Sequence, residues 1–247
     1  MNDMKKKALI VYGGWDGHEP EEVANIFKGI LEQENFEVEL SDSLDAYADG
    51  EKLKELDLIV PHWTMGEIEP QYVTNISEAV MSGVGLAGCH GGMCDSFRKN
   101  VDWQFMTGGN WVAHPGNDGV EYTVAINYSS SRVLEGIEDF KVVSEQYYLH
   151  VDPAVEVLAT TRFPIAEGPH SLNKAVDMPV VWTKRWGIGR VFYNSIGHSA
   201  NVVAMPEVSG IMRNGFLWSA EGKARSRKTM DSRSGLAHIY TGMGDNQ

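Results

Sequence analysis

Positive charge is scarce in this chain of 247 residues: 21 lysines and arginines face 34 aspartates and glutamates, a formal net charge of −13. A nucleic-acid backbone and an anionic membrane both repel such a surface. No nucleic acid and no membrane is therefore expected as a partner, and a small, roughly neutral molecule is the easier ligand. Cysteine is nearly absent. The two present, Cys89 and Cys94, lie five apart, which makes neither a disulfide scaffold nor a complete zinc knuckle. Long apolar runs are missing too, with nothing near the roughly 18 residues that a membrane helix needs. Met1 to Lys7 is charged and leads into a short strand rather than a secretory segment, so the expected location is cytoplasmic, with both thiols reduced. Internal repeats and low-complexity blocks are also lacking.

What is present alternates between strand and helix. Hydrophobic residues make up 43% of the chain, enough for one large core. Ala8 to Tyr12 is an apolar run broken by Gly13-Gly14, the pattern of a buried parallel strand that ends in a loop. Pro20-Glu21-Glu22 opens a helix, because proline has no amide to waste at the first position and acids suit the dipole; Val23, Ile26, Phe27, Ile30 and Leu31 then keep helical spacing. Phe36 to Leu40 alternates as an exposed strand does, Leu58 to Val60 is a buried one running into Pro61-His62-Trp63, a helix spans about Pro70 to Met81, and Val84 to Ala87 is a further buried strand. Such alternation implies a parallel sheet with helices on both faces and a ligand crevice at the carboxyl ends of the strands. Those ends carry Trp15, Asp16 and His18, then His62 and Trp63, then Cys89 and His90.

Strand signals dominate the second half: Val120 to Asn127, Lys141 to Val143, Val155 to Thr161, Pro179 to Thr183 and Arg190 to Asn194, with a hairpin turn over Arg185 to Gly189. Met205-Pro206-Glu207 opens a last amphipathic helix through about Trp218. The expected fold is a flavodoxin-like α/β three-layer sandwich, its mostly parallel sheet extended by added strands, forming a single domain over residues 1–222. Residues 223–247, rich in Lys, Arg, Ser and Gly, read as a tail that is exposed or touches another subunit, which admits a homo-oligomer.

The turn Gly88-Cys89-His90-Gly91-Gly92 has the form of a nucleophile elbow, in which small residues let the backbone turn sharply and lift the central side chain into the crevice. Here the centre is His90, and the cysteine is one residue early. A shift of one residue at a tight turn sends a side chain elsewhere, so Cys89 reads as a small buried hydrophobe and His90 as an acid, a base or a metal ligand.

Several motifs in order extend this pattern: His18 after Gly13-Gly14, Gly85 to Gly92, Gly108-Gly109-Asn110-Trp111-Val112-Ala113-His114-Pro115, Ser144 to Tyr148, Pro179 to Thr183, Gly189 to Tyr193 and Gly197-His198. Across roughly residues 7 to 222 the chain resembles the ThuA-like, or trehalose utilisation, family of the class I glutamine amidotransferase-like fold. The resemblance implies sugar metabolism, often beside oxidoreductases that act on glycosides through 3-keto intermediates. Ser144 departs from it, standing where an acid is common before the Glu-x-Tyr element.

The same segments supply candidate chemistry. His90, Glu145 and His198 are expected as catalytic residues. His18, His114 and His150 are expected to hold a divalent metal such as zinc, since two or three imidazoles and a carboxylate suit that ion. Trp15, Asp16, Trp63, Trp111 and Tyr147 are expected to bind substrate, an indole face packing on a sugar ring. No nucleotide cofactor is predicted. The expected activity is isomerisation, epimerisation or eliminative cleavage of a sugar or 3-keto-sugar, in which a metal or imidazolium polarises a carbonyl while His90 or Glu145 moves the neighbouring proton. A non-catalytic carbohydrate-binding or regulatory module, and a Cys89-dependent amidohydrolase, are the alternatives.

Overall fold

A computed structural model describes residues 5–127, 131–163 and 172–232, with side chains as far as residue 223. In the first half, β1 (Lys6–Gly14), β2 (Phe36–Ser41), β3 (Leu58–Thr64) and β4 (Gly85–Cys89) alternate with α1 (Pro20–Gln33), α2 (Gly50–Glu55) and α3 (Pro70–Met81). Helix α1 begins at Pro20 with two acids in its first turn and buries Val23, Ala24, Phe27 and Leu31. Helix α3 likewise begins at Pro70 and buries Val73, Ile76, Ala79 and Val80, so both helices match the sequence expectation closely.

Past β4 come α4 (Gly91–Cys94), α5 (Val101–Thr107), β5 (Gly109–Ala113), β6 (Val120–Ile126), β7 (Phe140–Ser144), β8 (Tyr148–Val151), β9 (Glu156–Phe163), β10 (Val176–Trp186), β11 (Gly189–Asn194), α6 (Ala200–Val203) and α7 (Pro206–Ser232). One nine-stranded sheet runs in the order β2-β1-β3-β4-β11-β10-β9-β6-β7. Strands β2, β1, β3, β4 and β11 are parallel neighbours, and β10, β9, β6 and β7 extend the sheet antiparallel. Apolar residues of α1 and α7, such as Phe27 and Phe216, pack on one face, and those of α2, α3 and α5, such as Leu53, Ile76 and Trp103, pack on the other. This is the expected three-layer α/β arrangement with strands added in its second half.

Besides the short helix α5, two features stand out as different from the sequence expectation. Strands β5 and β8 pair only with each other, as a separate two-stranded ribbon that the chain's apolar pattern did not signal. Helix α7 continues to Ser232, well past Trp218, because the segment after Gly222 holds straight-chain polar residues that favour helix but carry no apolar stripe to reveal it. The rest of the expected tail, together with His170 and His238, lies outside the described residues.

Candidate functional site

Four parallel strands deliver side chains to one edge of the sheet. Strand β1 ends at Gly14, and the chain then turns through Trp15 into a single 3-10 turn, Asp16–His18. Strand β3 ends at Thr64, β4 leads directly to His90, and β11 leads through Ser195 to His198. The order β2-β1-β3 reverses direction at β1, so this edge is the switch point where open α/β sheets bind ligands. From the added half, the link Glu145–Tyr147 between β7 and β8, and His114 just after β5, lean over the same edge.

The elbow is real. His90 has φ 49° and ψ −138°, a strained conformation for a non-glycine residue, between strand β4 and the helical turn α4. Its backbone N–H donates to Asn194 O at 2.7 Å, and the Tyr193 hydroxyl donates to its carbonyl at 3.1 Å, which lock the turn onto β11. The two glycines that follow make room for two further imidazoles. A Cβ at Gly91 would lie 2.6 Å from His18 Cε1, and one at Gly92 would lie 2.4 Å from His62 Nδ1. Of the six described non-glycine residues with positive φ, all but Asn35 (Glu19, Met65, His90, Phe97 and Asn117) are at, or next to, residues of the site.

Glu145 is the hub. Its Oε2 lies 3.0 Å from His90 Nε2, 3.4 Å from His198 Nδ1 and 3.9 Å from His18 Nε2, and its Oε1 lies 3.7 Å from His114 Nδ1. Burial works to raise the Glu145 carboxyl, but the imidazoles of His18, His198 and His90 gathered around it overcome that and hold the group far below the usual carboxylate range. Burial dominates at His90 and pushes it down to about 4, against the pull of Glu145. His198 is raised, chiefly by Glu145. Near neutral pH these directions put a carboxylate anion beside a neutral His90.

That pairing leaves a conflict of lone pairs. His90 Nδ1 faces the Ser195 carbonyl at 2.8 Å and must carry the proton there, so a neutral ring turns the Nε2 lone pair towards the carboxylate. His18 has its Nδ1 on the Thr64 hydroxyl at 2.8 Å, which leaves Nε2 for the same centre. Ligand atoms of His18, His90, Glu145 and His198 all lie within 4.8 Å of one another. Three imidazole nitrogens and one carboxylate, with the far nitrogens of His18 and His90 bonded to other groups, could hold a metal ion, and a cation would relieve the conflict.

A cavity of about 400 Å³ opens above this cluster, lined by Trp15, His18, Met65, Asp95, Arg98, Trp111, His114, Asn117, Asp118, Glu145, Tyr147 and His198. Tyr147 stacks on His90, with ring centroids 3.9 Å apart, and Trp15 meets His18 edge to face at 4.7 Å. His90 is wholly buried beneath these groups and does not line the cavity, so the expected lifting of its side chain into the crevice is not what the turn achieves. His150 stands exposed on β8, opposite Asn110, outside the cluster; the four-residue group includes neither His150 nor His114. Asp16 is exposed at the head of its turn and Trp63 covers Gly13 and Gly66, and neither lines the cavity.

Four residues that the sequence reading left without a role belong here. Asp95 and Arg98 form an ion pair on the cavity wall, at the i,i+3 spacing that was the available signal. Thr64 orients His18. His62, near the end of β3, is buried behind the cluster with both ring nitrogens unpartnered, and burial pushes it down to about 3, helped by His18 and His90. Cys89, by contrast, packs in the core with no exposed surface, and burial pushes its thiol up to about 12, the reverse of what a thiolate nucleophile requires.

A family model described as ThuA, trehalose utilisation, matches residues 7–219. Among solved structures, a protein of Parabacteroides merdae described as thuA-like superposes with a TM-score of 0.70 at 16% identity, covering 89% of this chain and 91% of its own. A thuA-like protein of Bacteroides uniformis gives 0.68 at 20% identity, over 89% and 93%. A cytoplasmic protein of Salmonella typhimurium gives 0.61 at 13% identity, over 88% and 98%. These likenesses concern the fold. No curated protein matches the sequence significantly. Among the described residues, no helix is long and apolar enough to cross a membrane.

Proposed function

The chain belongs to the ThuA, or trehalose utilisation, family, which gives it a role in sugar metabolism, and from that premise we propose that it is an enzyme acting on a sugar or 3-keto-sugar by histidine-assisted proton transfer. The observation that carries this reading is the convergence of three imidazoles on one carboxylate beneath a cavity of sugar size. A carbon next to a carbonyl loses its proton readily when a base stands near and the resulting oxyanion is stabilised. Glu145 reaches the cavity as an anion, but a carboxylate held so far below its usual range is too weak a base for a carbon acid; it orients His198, which shares the cavity wall, is raised by Glu145, and is the group that takes the proton and returns it. His90 lies beneath Glu145, fixed by the Ser195 carbonyl and by Tyr147 stacked on its ring. Trp15, Trp111 and Tyr147 offer apolar faces to the ring.

A divalent ion such as zinc fits the donor set of His18, His90, His198 and Glu145 and, when bound, would stabilise negative charge on a substrate oxygen. This set replaces His114 and His150 as ligands with His90, Glu145 and His198. Isomerisation, epimerisation and eliminative cleavage all begin with the same proton removal.

The test is to incubate the protein with 3-keto-sugars in deuterium oxide and follow the C–H beside the carbonyl by NMR. Exchange should occur in the wild type, persist in Cys89→Ala, and fall on the order of 10²–10⁴-fold in Glu145→Gln. Tight binding without exchange would instead mark a carbohydrate-binding module, and exchange lost in Cys89→Ala would mark thiol chemistry.

A further inference from the structure

Among the described residues, Arg98 is the one lysine or arginine on the wall of this cavity, beside three carboxylates, Asp95, Asp118 and Glu145. Its guanidinium is fixed in two directions. Nε and Nη2 donate to the two carboxylate oxygens of Asp95, the second at 2.9 Å, and the plane lies over the Trp111 ring with 4.3 Å from Cζ to the centroid. Asp95 is only 3% exposed, whereas the Arg98 side chain is 40% exposed. Nη1 has no protein partner among the described residues.

Two physical consequences follow from that arrangement. One of the two edges with which a guanidinium grips a phosphate or carboxylate, Nε–Nη2, is already filled by Asp95, whose charge offsets that of Arg98. The local charge is also spent, since the lining sets three carboxylates against this one guanidinium. What remains is a rigid donor beside an indole face. That combination suits hydroxyl groups on a ring.

We propose that the Asp95–Arg98–Trp111 clamp makes this site selective for an uncharged, hydroxyl-rich ligand, Nη1 donating to ring hydroxyl oxygens while Asp95 offsets the positive charge that a phosphorylated or carboxylated sugar would need. The proposal rests on the sugar reading above and names the class of sugar. Arg98 and Asp95 are specificity determinants and take no part in moving the proton.

Isothermal titration with methyl 3-keto-glucoside and with its 6-phosphate tests it. The wild type should bind the uncharged ligand at least about tenfold more tightly than the phosphate. Arg98→Lys keeps a charge opposite Asp95 but lacks Nη1, and should weaken the uncharged ligand by about tenfold with the thermal midpoint unchanged. Asp95→Asn frees the guanidinium and should strengthen phosphate binding by about tenfold, narrowing or reversing the preference. If that variant does not fold, Arg98→Lys decides alone. Equal or tighter binding of the phosphate by the wild type, or an Arg98→Lys protein that binds the uncharged ligand normally, would overturn the clamp and leave the sugar reading standing. Binding of neither ligand to the wild type would overturn both.

Discussion

His62 illustrates what burial does to an imidazole without partners. Both of its nitrogens are unbonded, and the ring, held down to about 3, stays neutral far below the usual 6.5. The unfolded chain takes up that proton below pH 6.5 whereas the folded protein does not until about pH 3, so acidification across this window favours unfolding. His90, held to about 4, acts in the same direction, and so does Glu145, whose contribution is present above the ordinary carboxylate range and is lost as pH falls. His198 has the opposite sign, stabilising below its ordinary value and losing that contribution as pH rises. Chemical denaturation of His62→Leu at pH 7.5 and pH 4 should show a smaller acid loss than the wild type; equal losses would mean that His62 carries a proton in the folded protein. Sequence reading found His18, His90, Glu145 and His198 individually, because each sits in a glycine-rich or aromatic turn at a strand end. It misjudged His150, since side chains alternate along a strand and Leu149, rather than its neighbour, faces inward on β8. The ligand grouping itself could not be read from spacing, because its members come from four separate segments.

Between the elements, the link from β7 to β8 belongs to no helix or strand, yet it carries the carboxylate at the centre of the site. It is held by the Tyr122 hydroxyl donating to Glu145 O at 3.1 Å and by Gln146 Nε2 donating to Thr161 Oγ1 at 2.8 Å, both from neighbouring strands. Tyr122→Phe deletes one of these bonds, so it should cost about 1 kcal/mol of stability in urea denaturation and slow proton exchange several-fold through a less firmly placed Glu145. An unchanged exchange rate would show that Gln146 alone suffices. Elements with strong local signals were legible: α1 and α3 through proline at their first position, β1, β3 and β4 through apolar runs ending in turns. The ribbon of β5 and β8 was not, because its strands are short and its partners lie far apart in the chain. Helix α5 was missed for a related reason: seven residues between an Asn cap and Gly108 offer too short a period to recognise.

Across the whole molecule, the site is a joint between two halves. The parallel half brings His18, His90 and His198 to the carboxyl edge of the sheet, the link after β7 of the antiparallel extension brings Glu145 over it, and the β5–β8 ribbon adds Trp111 and His114. The three imidazoles of the cluster come from one half and its carboxylate from the other, so the added strands complete the cluster rather than merely widening the sheet. The cluster at that joint is tested most directly by titrating the metal-free protein with Zn²⁺ and counting bound ions. One equivalent per chain should bind the wild type and His150→Ala alike, and binding should be lost or weakened on the order of 100-fold in His18→Ala and Glu145→Gln. Binding that survives in both of these variants, or that disappears in His150→Ala, would contradict the assignment of this cluster as the metal-holding centre.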